Sequence, residues 1–240
     1  MKILFLVLTA VCSLTLLTIL MFYNKKTYYE KDNKSLLIMK MTMSSMFVLA
    51  GLFSMLSTGH FTRFSVFMLI GACAHWVGDL ILQTLHSSKG FVLGELAFFT
   101  GHIFYLVAFS TAIKTLYPEI GFFHDKVTFI TFLVLFVLIT ILVIFKKGDY
   151  HHLFIPSYTY TLMGSFVASR AVSLGTKFMP ISAIAVLLPI GALLFLLSDV
   201  TLGMVKFKLH KNYFSFHTVS TMSYFIGQLL IALSLIAIHT

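Results

Sequence analysis

Three carboxylates interrupt stretches that are otherwise apolar over a membrane's thickness: Asp79 in LIGACAHWVGDLILQ, Glu95 in FVLGELAFFTGHIFYLVAF and Asp199 in PIGALLFLLSDVTLGMV. The chain has only 8 acidic residues, so these three are a large share. A charged group at the bilayer centre costs about 2.5–3.5 kcal/mol even on insertion scales, so it is kept where it faces a protein-lined polar space. Two carboxyl groups brought together at low dielectric cannot both ionise easily. One then serves as an acid beside a carboxylate that serves as a base, a pairing suited to acid-assisted hydrolysis. A serine-nucleophile or zincin mechanism has no sequence support: there is no G-x-S-x-G and no H-E-x-x-H, nor a C-x-x-C or a phosphate-binding glycine loop.

The elements that must carry these groups are transmembrane helices. The 240 residues are 59% hydrophobic and 10% charged, a composition for a polytopic membrane protein. A helix needs about 20 apolar residues to cross the hydrocarbon core. Eight runs meet or nearly meet that length, at 3–23, 36–56, 64–85, 91–116, 126–145, 152–172, 180–205 and 217–238. They are continuous rather than alternating, so the expected fold is all-α, a helical bundle of about eight spans in one domain. The first run resembles a signal peptide but lacks a convincing small-x-small cleavage site, and is read as the first span. Cys12 and Cys73 fall inside apolar runs and are expected to pack, with neither a disulfide nor a metal pair. Scattered glycines such as Gly71, Gly94, Gly101 and Gly191 are expected to let helices approach closely.

The net charge of +9 does not indicate nucleic-acid binding, because the lysines sit in short connections between apolar runs. The odd-numbered connections hold Lys25, Lys26, Lys31, Lys34, Lys89, Lys146, Lys147, Lys206, Lys208 and Lys211; the even-numbered ones hold Arg63, Lys114, Lys126 and Lys177. That excess puts the odd connections in the cytoplasm and both termini outside, in a bacterial inner (plasma) membrane. Arg170, at the far end of span six, is expected to snorkel to the outer interface. His151, His152, His210 and His217 are expected to be interfacial.

Measured inward from the odd-connection face at 1.5 Å per residue, Lys40, Asp79, Glu95, Tyr158, Asp199 and Tyr224 all fall roughly 6–11 Å deep. They come from six spans yet share one layer, which a single pocket open to the cytoplasmic leaflet explains. Helical spacing agrees: Gly71, His75, Asp79 and Gln83 form one stripe, Glu95, His102 and Tyr105 a second, Thr221, Tyr224 and Gln228 a third, and Lys40, Ser44 and Phe47 share a side of span two. Each has a plainer reading. Lys40 can snorkel, Glu95 can complement a helix dipole, and the tyrosines and Gln228 can be interhelical glue.

Phe91, Gly94, Phe98, His102 and Tyr105 in span four, with Gly78–Asp79 before them, Gly191, Phe195, Ser198 and Asp199 in span seven, and Tyr224 with Gln228 in span eight, resemble the YhhN/TMEM86 family. The resemblance runs from about Lys40 to Leu230. One departure is Met41, where that family commonly has proline after the lysine. The family contains lysoplasmalogenases, integral membrane enzymes that hydrolyse the vinyl-ether bond of lysoplasmalogens to a fatty aldehyde and glycerophosphoethanolamine or glycerophosphocholine. The resemblance therefore implies a lysophospholipid substrate drawn from membrane lipid, catalytic Asp79 and Asp199, and substrate contacts from Lys40, His102, Tyr158 and Tyr224. Ser198, Gln228 and Glu95 complete the expected substrate-binding set. No cofactor, metal or nucleic-acid partner is called for. Two rival readings remain at this stage: a metal-dependent lipid hydrolase with His75, Asp79 and His102 as ligands, and a proton-coupled small-molecule or lipid transporter.

Overall fold

A computed structural model describes residues 1–29, 33–120, 124–145, 154–207 and 214–238. The described residues form eight α-helices and no strand: α1 (Lys2–Tyr29), α2 (Asn33–Thr58), α3 (Arg63–Thr84), α4 (Ser88–Leu116), α5 (Lys126–Phe145), α6 (Phe154–Phe178), α7 (Leu187–Phe207) and α8 (Phe214–Ser234). Of the lysines that set the expected topology, the side chains of Lys25, Lys26, Lys31, Lys146, Lys147, Lys206, Lys208 and Lys211 lie outside the described residues, as do His151, His152 and His210.

Six helical stretches are long and apolar enough to cross a membrane, in α1, α2, α3, α4, α7 and α8. The described apolar part of α5, Lys126–Leu142, is shorter. Helix α6 falls short because it is polar: Ser157, Thr161, Ser165, Ser169 and Ser173 run along it. The hydroxyls of Thr161, Ser165 and Ser169 each donate to the carbonyl four residues back, which satisfies them inside an apolar bundle.

The seventh span departs from its expected outline. A 3₁₀ turn at Ala183–Val186 leads into α7, so Pro189 sits in the first turn of the helix. There its missing N–H takes no intrahelical bond away, and it does not break the span. Helix α2 is followed by Gly59, whose φ of 73° is the left-handed conformation that suits glycine after a helix. Helix α3 begins at Thr62, whose side chain accepts from the Ser65 amide while the Ser65 hydroxyl takes the Thr62 amide.

Neighbours in sequence pack as hairpins, α1 on α2, α3 on α4 and α7 on α8; α6 bridges α4 and α7, and α2 reaches α8. Lipid supplies no hydrophobic drive between helices, so close fit must do so. In the α3–α4 hairpin each glycine leaves a hole that a side chain of the other helix fills. A Cβ on Gly71 would strike Tyr105, one on Gly101 would strike His75, one on Gly78 would strike Phe98, and one on Gly94 would strike Leu82. In the α7–α8 hairpin the backbones themselves meet: a Cβ on Gly191 would lie 2.7 Å from the Gly227 carbonyl oxygen, and one on Gly227 the same distance from that of Gly191.

Arg170 does not snorkel. It is 2% exposed, and its Nη1 donates to Asp125 Oδ2 at 2.9 Å. Lys177 Nζ donates to Asp125 Oδ1 at 3.0 Å, and Thr128 and Ser173 hydroxyls donate to Oδ2. The carboxylate at the mouth of α5 lies within reach of the last turns of α6, and an ion pair replaces the water that Arg170 was expected to seek. Of the two cysteines, Cys12 is buried as expected, whereas Cys73 faces outward from the bundle.

Candidate active site

Seven helices converge on one cavity of about 170 Å³, and only α5 contributes nothing to its wall among the described residues. The lining residues sit at the end of α1, the start of α2, the end of α3, the starts of α4 and α6, the end of α7 and the start of α8. All of these ends face the odd-numbered connections. Lys40, Asp79, Glu95, Ser198, Asp199 and Tyr224 line the cavity, as do Gln83 and Thr221.

Asp79 is the most heavily bonded of the carboxylates on the cavity wall. Its Oδ2 accepts from the Ser44 hydroxyl at 2.6 Å and from the Tyr224 hydroxyl at 2.7 Å, and Lys40 Nζ stands 3.5 Å from Oδ1. Its side chain is 2% exposed. Ser44 comes from the α2 stripe that also carries Lys40, so one helical turn supplies both a donor and a charge. Tyr224 is held in turn by edge-on contacts with Phe47, Phe98, Phe195 and Phe225.

Asp199 is bonded differently. Its Oδ2 lies 3.6 Å from His102 Nε2, too far for a good hydrogen bond, and has no hydrogen-bond partner. Tyr160 stands close enough for its hydroxyl to interact with the carboxylate. The Tyr160 ring also stacks on His102, with centroids 5.3 Å apart. Gly164, one turn further along α6, faces the same pair: a Cβ there would lie in ordinary contact, 3.5 Å from His102 Nε2 and 3.6 Å from Asp199 Oδ2.

Glu95 is the third carboxylate. It stands at the eighth position of α4, beyond the first turn where a helix dipole is felt. Its Oε1 accepts from the Ser157 hydroxyl at 2.6 Å, and its Oε2 is buried without a partner. It lies near enough to Asp199 for their charges to interact.

Three expected site residues lie elsewhere. Tyr158 is absent from the cavity wall and meets the Thr140 hydroxyl of α5 at 3.1 Å. Tyr160 takes its place, because two residues along a helix is about 200° of rotation. Gln228 is 1% exposed and sits behind the cavity, where its Oε1 accepts from the Tyr105 hydroxyl at 2.9 Å. His102 also stays off the wall and reaches the site only through Asp199 and Tyr160. Conversely, His217 lines the cavity instead of lying at the interface. Ser157, Tyr160, Thr161 and Gly164 were missed, although their spacing of three, four and seven is the same helical stripe that exposed the other faces.

The metal-ligand set expected of the rival hydrolase does not assemble. Among the described residues no three His, Cys, Asp or Glu side chains converge as ligands. Asp79 turns to Lys40, Ser44 and Tyr224, while His75 is enclosed by the rings of Phe98, His102, Tyr105 and Phe195.

The fold and the cavity define a multi-pass helical membrane protein with an acidic site near one end of the bundle. The family model described as the YhhN family matches residues 35–235, and the chain belongs to that family. The membership is consistent with a hydrolase. No curated protein and no solved structure matches the chain.

Proposed function

We propose that the protein is a lysoplasmalogenase-type hydrolase that cleaves the vinyl-ether bond of lysoplasmalogens, with Asp199 as proton donor and acceptor and Asp79 as electrostatic stabiliser. The observation that carries this reading is the presence of both carboxylates on one cavity in two contrasting settings. Asp199 keeps an unpartnered oxygen, whereas both oxygens of Asp79 are engaged. Membership of the YhhN family supports the same reaction class.

The chemistry follows from those settings. Asp199 in its acid form gives its proton to the β-carbon of the vinyl ether, and the C=C electron pair forms the new C–H bond. The oxygen lone pair compensates, leaving an oxocarbenium ion beside the fixed negative charge of Asp79. Water adds to the cationic carbon and returns a proton to Asp199. The hemiacetal then collapses to a fatty aldehyde and the freed glycerol hydroxyl, so atoms and charge balance. The logic is that of glycosidases, where one carboxyl group donates and a second stabilises. In this reading Lys40, which lines the cavity, takes the lipid phosphate. The lysine excess of the odd-numbered connections supports a mouth on the cytoplasmic side of the membrane.

The test is aldehyde release from 1-alkenyl lysophosphoethanolamine by detergent-purified protein, with and without chelator. Asp199→Asn should lower turnover by about 10²–10⁴-fold, the range for loss of a general acid or base, and Asp79→Asn by about 10²–10³-fold, as for loss of a preorganised electrostatic stabiliser. Full activity in either variant would sink the two-carboxylate reading. Absence of cleavage by folded protein would move the cavity to binding or transport.

A further inference from the structure

We propose that Glu95 reads the headgroup amine of the lysolipid, so that the site prefers a primary ammonium to a trimethylammonium and rejects an uncharged or purely anionic head. This rests on the hydrolase reading of the same cavity, and it assigns a residue that the cleavage steps leave unused.

Charge is the first observation. Lys40 is the only lysine or arginine on the described cavity wall, and Asp79 already holds it at 3.5 Å. With Asp199 in the acid form that cleavage uses, Glu95 is the carboxylate left without a lysine or arginine on that wall. A cavity with surplus carboxylate attracts a cationic group and penalises an anionic one.

Depth is the second. Asp79 and Asp199 have side chains 2% and 7% exposed, whereas Glu95 is half-buried and Lys40 is 19% exposed. The rim therefore carries one cation and one carboxylate, and the floor carries the pair assigned to bond cleavage. A phosphoethanolamine head matches that order, with its phosphate at Lys40, its ammonium at Glu95 and the ether chain below.

Hydrogen bonding is the third. Ser157 fixes Glu95 through Oε1, which leaves Oε2 as a buried acceptor without a donor. A buried acceptor gains most from a ligand that brings an N–H. A primary ammonium has three such donors, whereas a trimethylammonium has none and would rely on ring faces instead.

The experiment uses 1-O-alkyl lysolipids, which carry no vinyl ether, as binding probes with phosphoethanolamine, phosphocholine or phosphoglycerol heads. Competition binding to the detergent-purified full chain should rank phosphoethanolamine about tenfold or more above phosphoglycerol, with phosphocholine between, as one charge-assisted hydrogen bond predicts. In Glu95→Gln the phosphoethanolamine-to-phosphoglycerol ratio should collapse to about two or less. Ser157→Ala, which frees Glu95 without removing its charge, should shrink the phosphoethanolamine-to-phosphocholine ratio and keep the preference over phosphoglycerol. It also serves if Glu95→Gln does not fold. Equal binding of all three heads by the wild type, or a preference that survives Glu95→Gln, would overturn the proposal. The two readings fail separately. Head preference without aldehyde release sinks only the hydrolase, and release from every head alike sinks only the assignment of Glu95.

Discussion

Tyr158 and Tyr160 show what a difference of two residues does on a buried helix. Both carry the same phenol, yet one meets Thr140 on α5 while the other stands between His102 and Asp199. Tyr160→Phe should lower vinyl-ether turnover about tenfold or more, because a hydroxyl beside the proposed proton donor is lost. Tyr158→Phe should change it by less than about twofold, since the group removed lies outside the cavity. Aldehyde release from the two variants, at matched folded protein, decides the point. The sequence exposed Lys40, Asp79, Glu95, Asp199 and Tyr224 because charge or polarity at membrane depth is rare enough to stand out. It hid Tyr160 because a tyrosine in a helix full of serine and threonine is not rare, and depth counting alone does not say which face a residue occupies.

Helix α5 is bound to the bundle chiefly through α6, and its outer face, with Phe129, Ile130, Leu133, Val134 and Leu138, is exposed. The Asp125 cluster is the polar part of that attachment. Burial pushes the Asp125 carboxyl up, but the hydrogen bonds from Ser173, Lys177 and Thr128 and the charge of Lys177 outweigh it and hold the group below the usual carboxylate range. A depressed aspartate contributes its full stabilisation above the unfolded value of about 3.9 and loses it as pH falls through the lower folded value. Thermal melts in detergent should therefore be flat in this contribution near neutrality and fall in the acid range below about pH 4. Asp125→Asn should cost about 3–5 kcal/mol at pH 7, since it leaves the buried Arg170 and the partly buried Lys177 without their counter-charge, and should flatten the acid fall. An unchanged melting temperature would mean that the cluster holds nothing together. At this scale the eight helices were legible from run length, and the start of α5 at 126 agreed with the apolar run. The pairing of Asp125 with Arg170 was not, because the two are 45 residues apart and each looks interfacial alone.

The molecule as a whole is lopsided. One end of the bundle holds a cavity shared by seven helices, and the other holds a closed ion-pair cluster. If the odd-numbered connections are cytoplasmic, His86→Cys, exposed between α3 and α4, should react with a membrane-impermeant maleimide only in inverted vesicles. Glu119→Cys, exposed between α4 and α5, should react only from the outside of intact cells, in a background without the two native cysteines. The opposite labelling would turn the cavity mouth to the other leaflet. The interlocked hairpins have a separate consequence for how sequence change in this protein is read. A saturating survey of substitutions would score Gly71, Gly101, Gly191 and Gly227 as severely as Asp79 and Asp199, although no chemistry passes through them. The two kinds of intolerance differ in what they forbid. The glycines refuse volume and are indifferent to charge, whereas the proposed carboxylates refuse an amide of their own size.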